Sequence, residues 1–216
     1  NAKTEERKFA SDVTNEGTAI KGGTVNYAMV SASPFKGLIN PLLYVDSGDG
    51  TLVDFAFAQL FEFDANQRIK KDGGMMEFTL DKENKTVTLK LRSKDYKWSD
   101  GQPLTIDDYI FTYEFIGRKD YEGVRYDENA ENIVGMKDYH EGKADKISGL
   151  EKVDDQTVKI HLEDVYPSLE MGGGAIFGQM IPKHVFKDMS YADAVKSDKS
   201  RTDVVGNGPF IVDKVV

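Results

Sequence analysis

Apolar residues in the middle of the chain recur at two spacings, and each spacing predicts a different element. Met76, Phe78 and Leu80 alternate, DKENK (81–85) supplies a turn, and Val87, Leu89 and Leu91 alternate on the return, which predicts a hairpin. VDDQTVKIHL repeats the logic, with Asp154-Asp155 at the turn and Val158, Ile160 and Leu162 on one face. The two pieces are expected to be meander strands of a small antiparallel sheet. Between them, Thr105 and Asp108 make a capping-box pair, a side-chain oxygen for an orphan N–H and acids near the positive end of the helix dipole. Ile106, Tyr109, Ile110, Tyr113 and Ile116 then share one helical face.

Upstream, Leu52, Phe55, Ala56, Gln59, Leu60 and Phe63 fall at helical steps and predict a helix over residues 51–63. TVNYAMVSA, with Val25, Tyr27 and Met29, predicts a strand with a buried face. The stretch SPFKGLINPLLYVDSGDG is broken by Pro34 and Pro41 and is expected to tuck Phe35, Leu38, Ile39, Leu42 and Leu43 inward. Residues 1–19 are polar and are expected to be disordered. Residues 120–146 are charged, with weak helical patterning over 130–139. Further on come a helix end broken at Gly172–Gly174, an Ile181-Pro182 boundary and a short helix over Tyr191–Lys196. VVGNGPFIVDKVV predicts a loop and then a strand still running at Val216, so the natural polypeptide is expected to continue.

Composition narrows the function. The net charge is −9, from 37 acidic and 28 basic residues, which argues against the basic stripe of a nucleic-acid binder. Cysteine is absent, which excludes disulfides, thiolate catalysis and cysteine metal sites. No apolar run approaches the ~20 residues of a membrane helix. His140, His161 and His184 lack metal-ligand spacing, and His161 occupies an outward position on an alternating strand. No G-x-S-x-G elbow accompanies the serines. Asp107 and Asp108 are explained by their place in a first helical turn. DSGDG (46–50) lacks the EF-hand spacing and reads as turn chemistry, and Gly172–Gly174 has no Lys-Ser/Thr after it. WSDG (98–101) reads as an Asp-Gly turn before a capped helix, with Trp98 packed beneath it. No catalytic constellation, metal site or cofactor site emerges.

YKWSDGQPLTIDDYIFTYEF (96–115) resembles the signature of the family 5 extracellular solute-binding proteins, the oligopeptide- and dipeptide-binding group. GGTVNYAM, LVDFAFAQLFEFD, TVTLKLRSKDYKWSDG, VDDQTVKIHLEDVYPSLEMG, MIPKHVF and VVGNGPFIVDKVV resemble further family segments in the family's order, over roughly residues 22–216. PFKGLINPLLYVDSGDG is most similar to peptide binders of low-GC Gram-positive bacteria.

The resemblance implies a mixed α/β fold: a periplasmic-binding-protein-like type II (cluster C) lobe with a mixed sheet plus a small antiparallel-sheet subdomain, the second lobe being absent. It implies a lead-in over 1–21, lobe I over 22–50, a subdomain carrying WSDG over 51–165 and a return to lobe I over 166–216. It implies a binding module rather than an enzyme, capturing oligopeptides between two lobes for ABC permease subunits. The expected form is a monomer outside the cytoplasmic membrane, held there by a lipid anchor that this chain lacks. Ligand-facing candidates carried over by position are Val45, Asp46, Ser47, Gly48, Asp49, Gly50, Tyr121, Tyr126, Phe177 and Gly178, while Asn207-Gly208-Pro209 would lie on the hinge side. Plain readings stand beside these: DSGDG as a turn, Tyr121 as a surface aromatic. Also open are another cargo (nickel chelate, haem or oligosaccharide), a secreted enzyme, and a structural or signalling module.

Overall fold

Alternation along the two predicted hairpins produces one sheet. In the computed structural model, which describes residues 17–18, 21–30, 34–171 and 178–215, β1 (Met76–Asp81) pairs antiparallel with β2 (Thr86–Leu91), and β3 (Leu150–Lys152) with β4 (Thr157–His161). The strand order is β1-β2-β4-β3, so this is not the simple meander expected: the second hairpin is turned round and β4 lies against β2. The register explains the choice. Leu89 sits opposite both Phe78 and Val158, and Val87 opposite both Leu80 and Ile160, so the apolar residues of three strands stack on one face. The opposite face carries Glu77 beside Lys90, Thr79 beside Thr88, and Glu151 beside Lys159. His161 points to that polar face, its Nε2 2.8 Å from the Glu151 carboxylate.

The helices are α1 (Ser47–Ala56), α2 (Ile106–Gly117), α3 (Glu128–Glu131), α4 (Met136–His140), α5 (Lys183–Phe186) and α6 (Tyr191–Lys196). Short 3-10 turns lie at Pro167–Glu170 and Asp198–Ser200. α2 is buried on two sides. Ile106, Tyr109 and Tyr113 join the core beneath the sheet with Leu89, Val158 and Trp98. Phe111, Phe115 and Ile116 join a second core with Leu42, Leu43, Ile181 and Phe186. A helix with apolar residues on two faces must be covered on both, and this one is shared by two clusters.

Several expectations need correcting. The helix predicted over 51–63 begins earlier, at Ser47, and stops at Ala56. It stops because the chain beyond is taken by other partners: Gly208 N donates to Ala56 O at 2.8 Å, Leu60 N to Gly178 O at 2.7 Å, and Met76 N to Leu60 O at 2.9 Å. The weak pattern over 130–139 becomes two short helices, because Gly135 adopts φ +81° and a Cβ there would lie 2.3 Å from Ser148 Oγ. Residues 23–30 and 211–215 are not strands, since alternation alone does not make a strand without a ladder. Val25, Tyr27 and Ile211 are exposed. Most of the polar lead-in and Gly172–Gly174 lie outside the described residues. By compactness the chain divides at residue 30, and all the elements named above belong to the unit 31–216.

Leu89 is completely buried at the centre of the sheet, with Thr88 beside it on the polar face. Leu89→Ala is therefore expected to cost ~2–5 kcal/mol in chemical denaturation, and Thr88→Ala no more than ~0.5–1 kcal/mol. Equal losses would show that the two faces are assigned wrongly.

Candidate functional site

The signature segments converge on the start of α2. Gly101 N donates to Trp98 O at 2.9 Å and Gly101 takes φ +88°, so WSDG closes as a tight turn that only glycine completes without strain. The turn carries the chain back to Thr105, the N-cap of α2, whose hydroxyl accepts from Asp107 N at 3.3 Å. Asp108 completes the capping box by accepting from Thr105 N at 3.0 Å. The same carboxylate accepts from the Trp98 indole at 3.1 Å and from Lys183 N at 2.9 Å. One helical turn on, the Thr112 hydroxyl accepts from Ile181 N at 3.0 Å while donating to Asp108 O at 2.8 Å. The I-P-K-H element is thereby fastened to α2 by two backbone donors. Burial pushes the Asp108 carboxyl above its usual range, against the pull of these N–H donors. His184 Nε2 donates to Asp100 at 2.7 Å, linking the turn to α5 from outside.

The G-N-G segment threads between this corner and the end of α1. Gly206 N donates to Ser99 Oγ at 3.2 Å and Ser99 N to Gly206 O at 2.8 Å. Asn207 Oδ1 accepts from Ala58 N at 3.1 Å, and Phe210 N donates to Phe55 O at 3.2 Å. A Cβ on Gly206 would come within 2.1 Å of Ala56 O, and one on Gly208 within 2.6 Å of Phe55 O. Both glycines are required by close approach. Beside the corner, a concavity of about 560 Å³ is bounded by Ser99, Asp100, His184, Met189 and Val204, and none of the implied peptide contacts lines it.

Those implied contacts are arranged around α1. Asp46 is the N-cap and pairs with Lys36 at 2.6 Å. Ser47, Gly48, Asp49 and Gly50 form the first helical turn, so DSGDG is a helix start and not a free turn. Asp49 is buried and accepts from Lys36 N, Gly37 N and Leu38 N at 2.9, 3.1 and 3.1 Å, a holding role for the preceding loop. Gly50 lies where a Cβ would meet the Tyr44 ring at 2.8 Å. Val45 and Ser47 are exposed, and Ser47, Thr51 and Asp54 follow one another along the open side of the helix. Gly178 stands at the far end, beside Gln59 and next to Gln179, whose side chains both donate to Asp54, at 2.9 and 3.2 Å.

Tyr121 lies behind this face. It is buried in the second core, donates to Leu42 O at 2.7 Å and accepts from Arg125 N at 3.2 Å. Burial pushes its hydroxyl up to about 12, which keeps it a donor. Tyr126 stacks on His140 with ring centres 4.0 Å apart. The structure thus gathers 45–50 along α1 with 178 near its far end, and sets Tyr121 against the loop just before that helix; Phe177 lies outside the described residues. Sequence reasoning missed Arg125, whose guanidinium reaches Pro41 O and Tyr44 O at 3.2 and 3.3 Å and covers the Tyr44 ring at 4.5 Å. No local pattern marks such a clamp, because its partners are backbone carbonyls some eighty residues upstream.

Comparison with known proteins fits this arrangement. The family described as bacterial extracellular solute-binding proteins, family 5 (middle) matches residues 74–216, a span that includes WSDG, α2, the I-P-K-H element and the G-N-G seam. The chain belongs to that family. The oligopeptide-binding protein OppA of Lactococcus lactis subsp. cremoris is 39% identical over 148 residues, covering 67% of this chain and 24% of OppA. The chain therefore spans about a quarter of the length of that family 5 relative. Lactococcal OppA complexed with an endogenous peptide, in the closed conformation, superposes with a TM-score of 0.79 at 34% identity, covering 86% of this chain and 35% of that one. The ABC transporter substrate binding protein CtaP of Listeria monocytogenes gives 0.60 at 30% identity, covering 87% and 33%. The fold is thus that of part of a type II periplasmic binding protein, and among the described residues its sheet is wholly antiparallel.

Asp108→Asn leaves an amide facing at least one of three buried N–H donors and is expected to destabilise the protein by ~1–3 kcal/mol. Because burial holds the folded Asp108 above its unfolded value, its titration favours folding below the unfolded value and that advantage fades as pH rises through the folded one. The stability gap between wild type and variant should accordingly narrow with rising pH in urea titrations. A gap that widens would mean that the N–H donors outweigh burial.

Proposed function

We propose that this chain is part of the extracytoplasmic binding component of an ABC importer, capturing oligopeptides in a cleft between two lobes. The observation that carries the reading is the likeness to lactococcal OppA with its endogenous peptide, at a TM-score of 0.79 and 34% identity. In this reading the chain supplies one wall of the cleft. Residues 22–50 and 166–216 belong to the first lobe and 51–165 to the WSDG subdomain; the protein is a monomer, is held to the outer membrane face by a lipid anchor, and delivers peptide to permease subunits.

Val45, Ser47 and the backbone of Gly48 and Gly50 are the proposed ligand-facing groups at the start of α1, with Gly178 at its far end; Phe177, the neighbour of Gly178 in sequence, is proposed with it. Asp46, Asp49 and Tyr121 serve these from behind by holding the loop over residues 36–46, and Tyr126 stands at the margin. Binding of this kind relies on backbone hydrogen bonds and roomy wet pockets, which accept varied side chains and require no reacting group. Fold likeness alone does not choose the cargo: NikZ of Campylobacter jejuni, solved in complex with Ni(L-His), matches at 22% identity and a TM-score of 0.59.

Native mass spectrometry of the full-length protein from its host should find peptides bound. A preparation that retains a non-peptide ligand, or turns over a substrate, would overturn the reading. Calorimetry on residues 1–216 alone should show no micromolar peptide binding, because one wall of a cleft supplies only part of the contacts; micromolar affinity would refute the one-wall assignment.

A further inference from the structure

The chain's one Asn-Gly pair, Asn207-Gly208, is held in a way that its chemistry makes significant. In an open chain this pair is the most reactive dipeptide toward deamidation, because glycine leaves the following backbone nitrogen unhindered. Gly208 N attacks Asn207 Cγ, an N–C bond forms, the Cγ–Nδ2 bond breaks and ammonia leaves with the proton. Water then opens the succinimide at either carbonyl, giving aspartate or isoaspartate. In the fold each participant is occupied. Gly208 N–H donates to Ala56 O at 2.8 Å, Asn207 Oδ1 accepts from Ala58 N at 3.1 Å, and Nδ2 rests against Met75 Sδ at 3.5 Å.

We infer that Asn207 is a latent deamidation site, protected while the G-N-G seam is closed and converted whenever the seam opens. Conversion is irreversible for the fold. Isoaspartate lengthens the backbone by a methylene between two glycines that already lie too close to α1 for a Cβ, at 2.1 Å from Ala56 O and 2.6 Å from Phe55 O. A chain so altered cannot rethread the seam, so its bonds to Ser99 and to the end of α1 stay lost.

The test follows the tryptic peptide spanning Thr202–Lys214 by mass spectrometry after incubating the intact protein at mildly alkaline pH, in buffer and in urea. Deamidation in buffer is expected to run at least ~10-fold slower than in urea, since only the open population reacts. Ser99→Ala, which removes the acceptor for Gly206 N, should speed the reaction in buffer ~3-fold or more by raising that population. After urea is removed, isoaspartyl chains should lack the melting transition of unmodified protein. Equal rates in buffer and urea, an unchanged rate in Ser99→Ala, or isoaspartyl chains that regain the normal transition would each overturn the proposal.

Discussion

A single buried carboxylate organises the centre of this protein. Asp108 sits at the start of α2, where a negative group is favoured by the helix dipole, and accepts hydrogen bonds from the N-cap, the WSDG tryptophan and the I-P-K-H segment. Each donor would cost on the order of 1–3 kcal/mol if buried alone, so the three segments are stable together and poor apart. This explains why the signature motif is a joint and touches no proposed ligand group. Trp98 supplies bulk to the sheet core and a donor to the joint in one side chain.

From this joint, order passes outward through α2. Its two buried faces tie the sheet core to the cluster around Leu42, Leu43 and Phe186, and that cluster backs the loop over residues 36–46. Tyr121, Arg125 and Asp49 hold the same loop through hydrogen bonds to its backbone. The start of α1 is therefore presented on a rigid base, which lowers the ordering cost of binding anything there.

Much of the fold could be read from the sequence because its causes are local. Alternation places Leu89 and Val158 inward; the capping box starts α2; Tyr191–Lys196 is a helix in both readings. What escaped was decided by partners distant in sequence. α1 ends at Ala56 because Gly208 claims its carbonyl, and the second hairpin turns round because Val158 matches Leu89. The candidate site was the least visible part. Its residues were carried over by resemblance, and nothing in DSGDG reveals that Asp49 would turn inward to three backbone amides while Ser47 faces out.

The strand order has a consequence for how the chain reaches this state. Each hairpin closes over a handful of residues, a microsecond event, whereas joining β2 to β4 closes the whole stretch 92–156. That stretch contains WSDG and α2, and the entropy of so long a loop is offset only when the apolar faces of both hairpins meet α2. Either hairpin alone is marginal in water. The pairing of Leu89 with Val158 therefore carries the largest loop-closure cost in the sheet, a cost offset only where the packed faces of both hairpins and α2 come together.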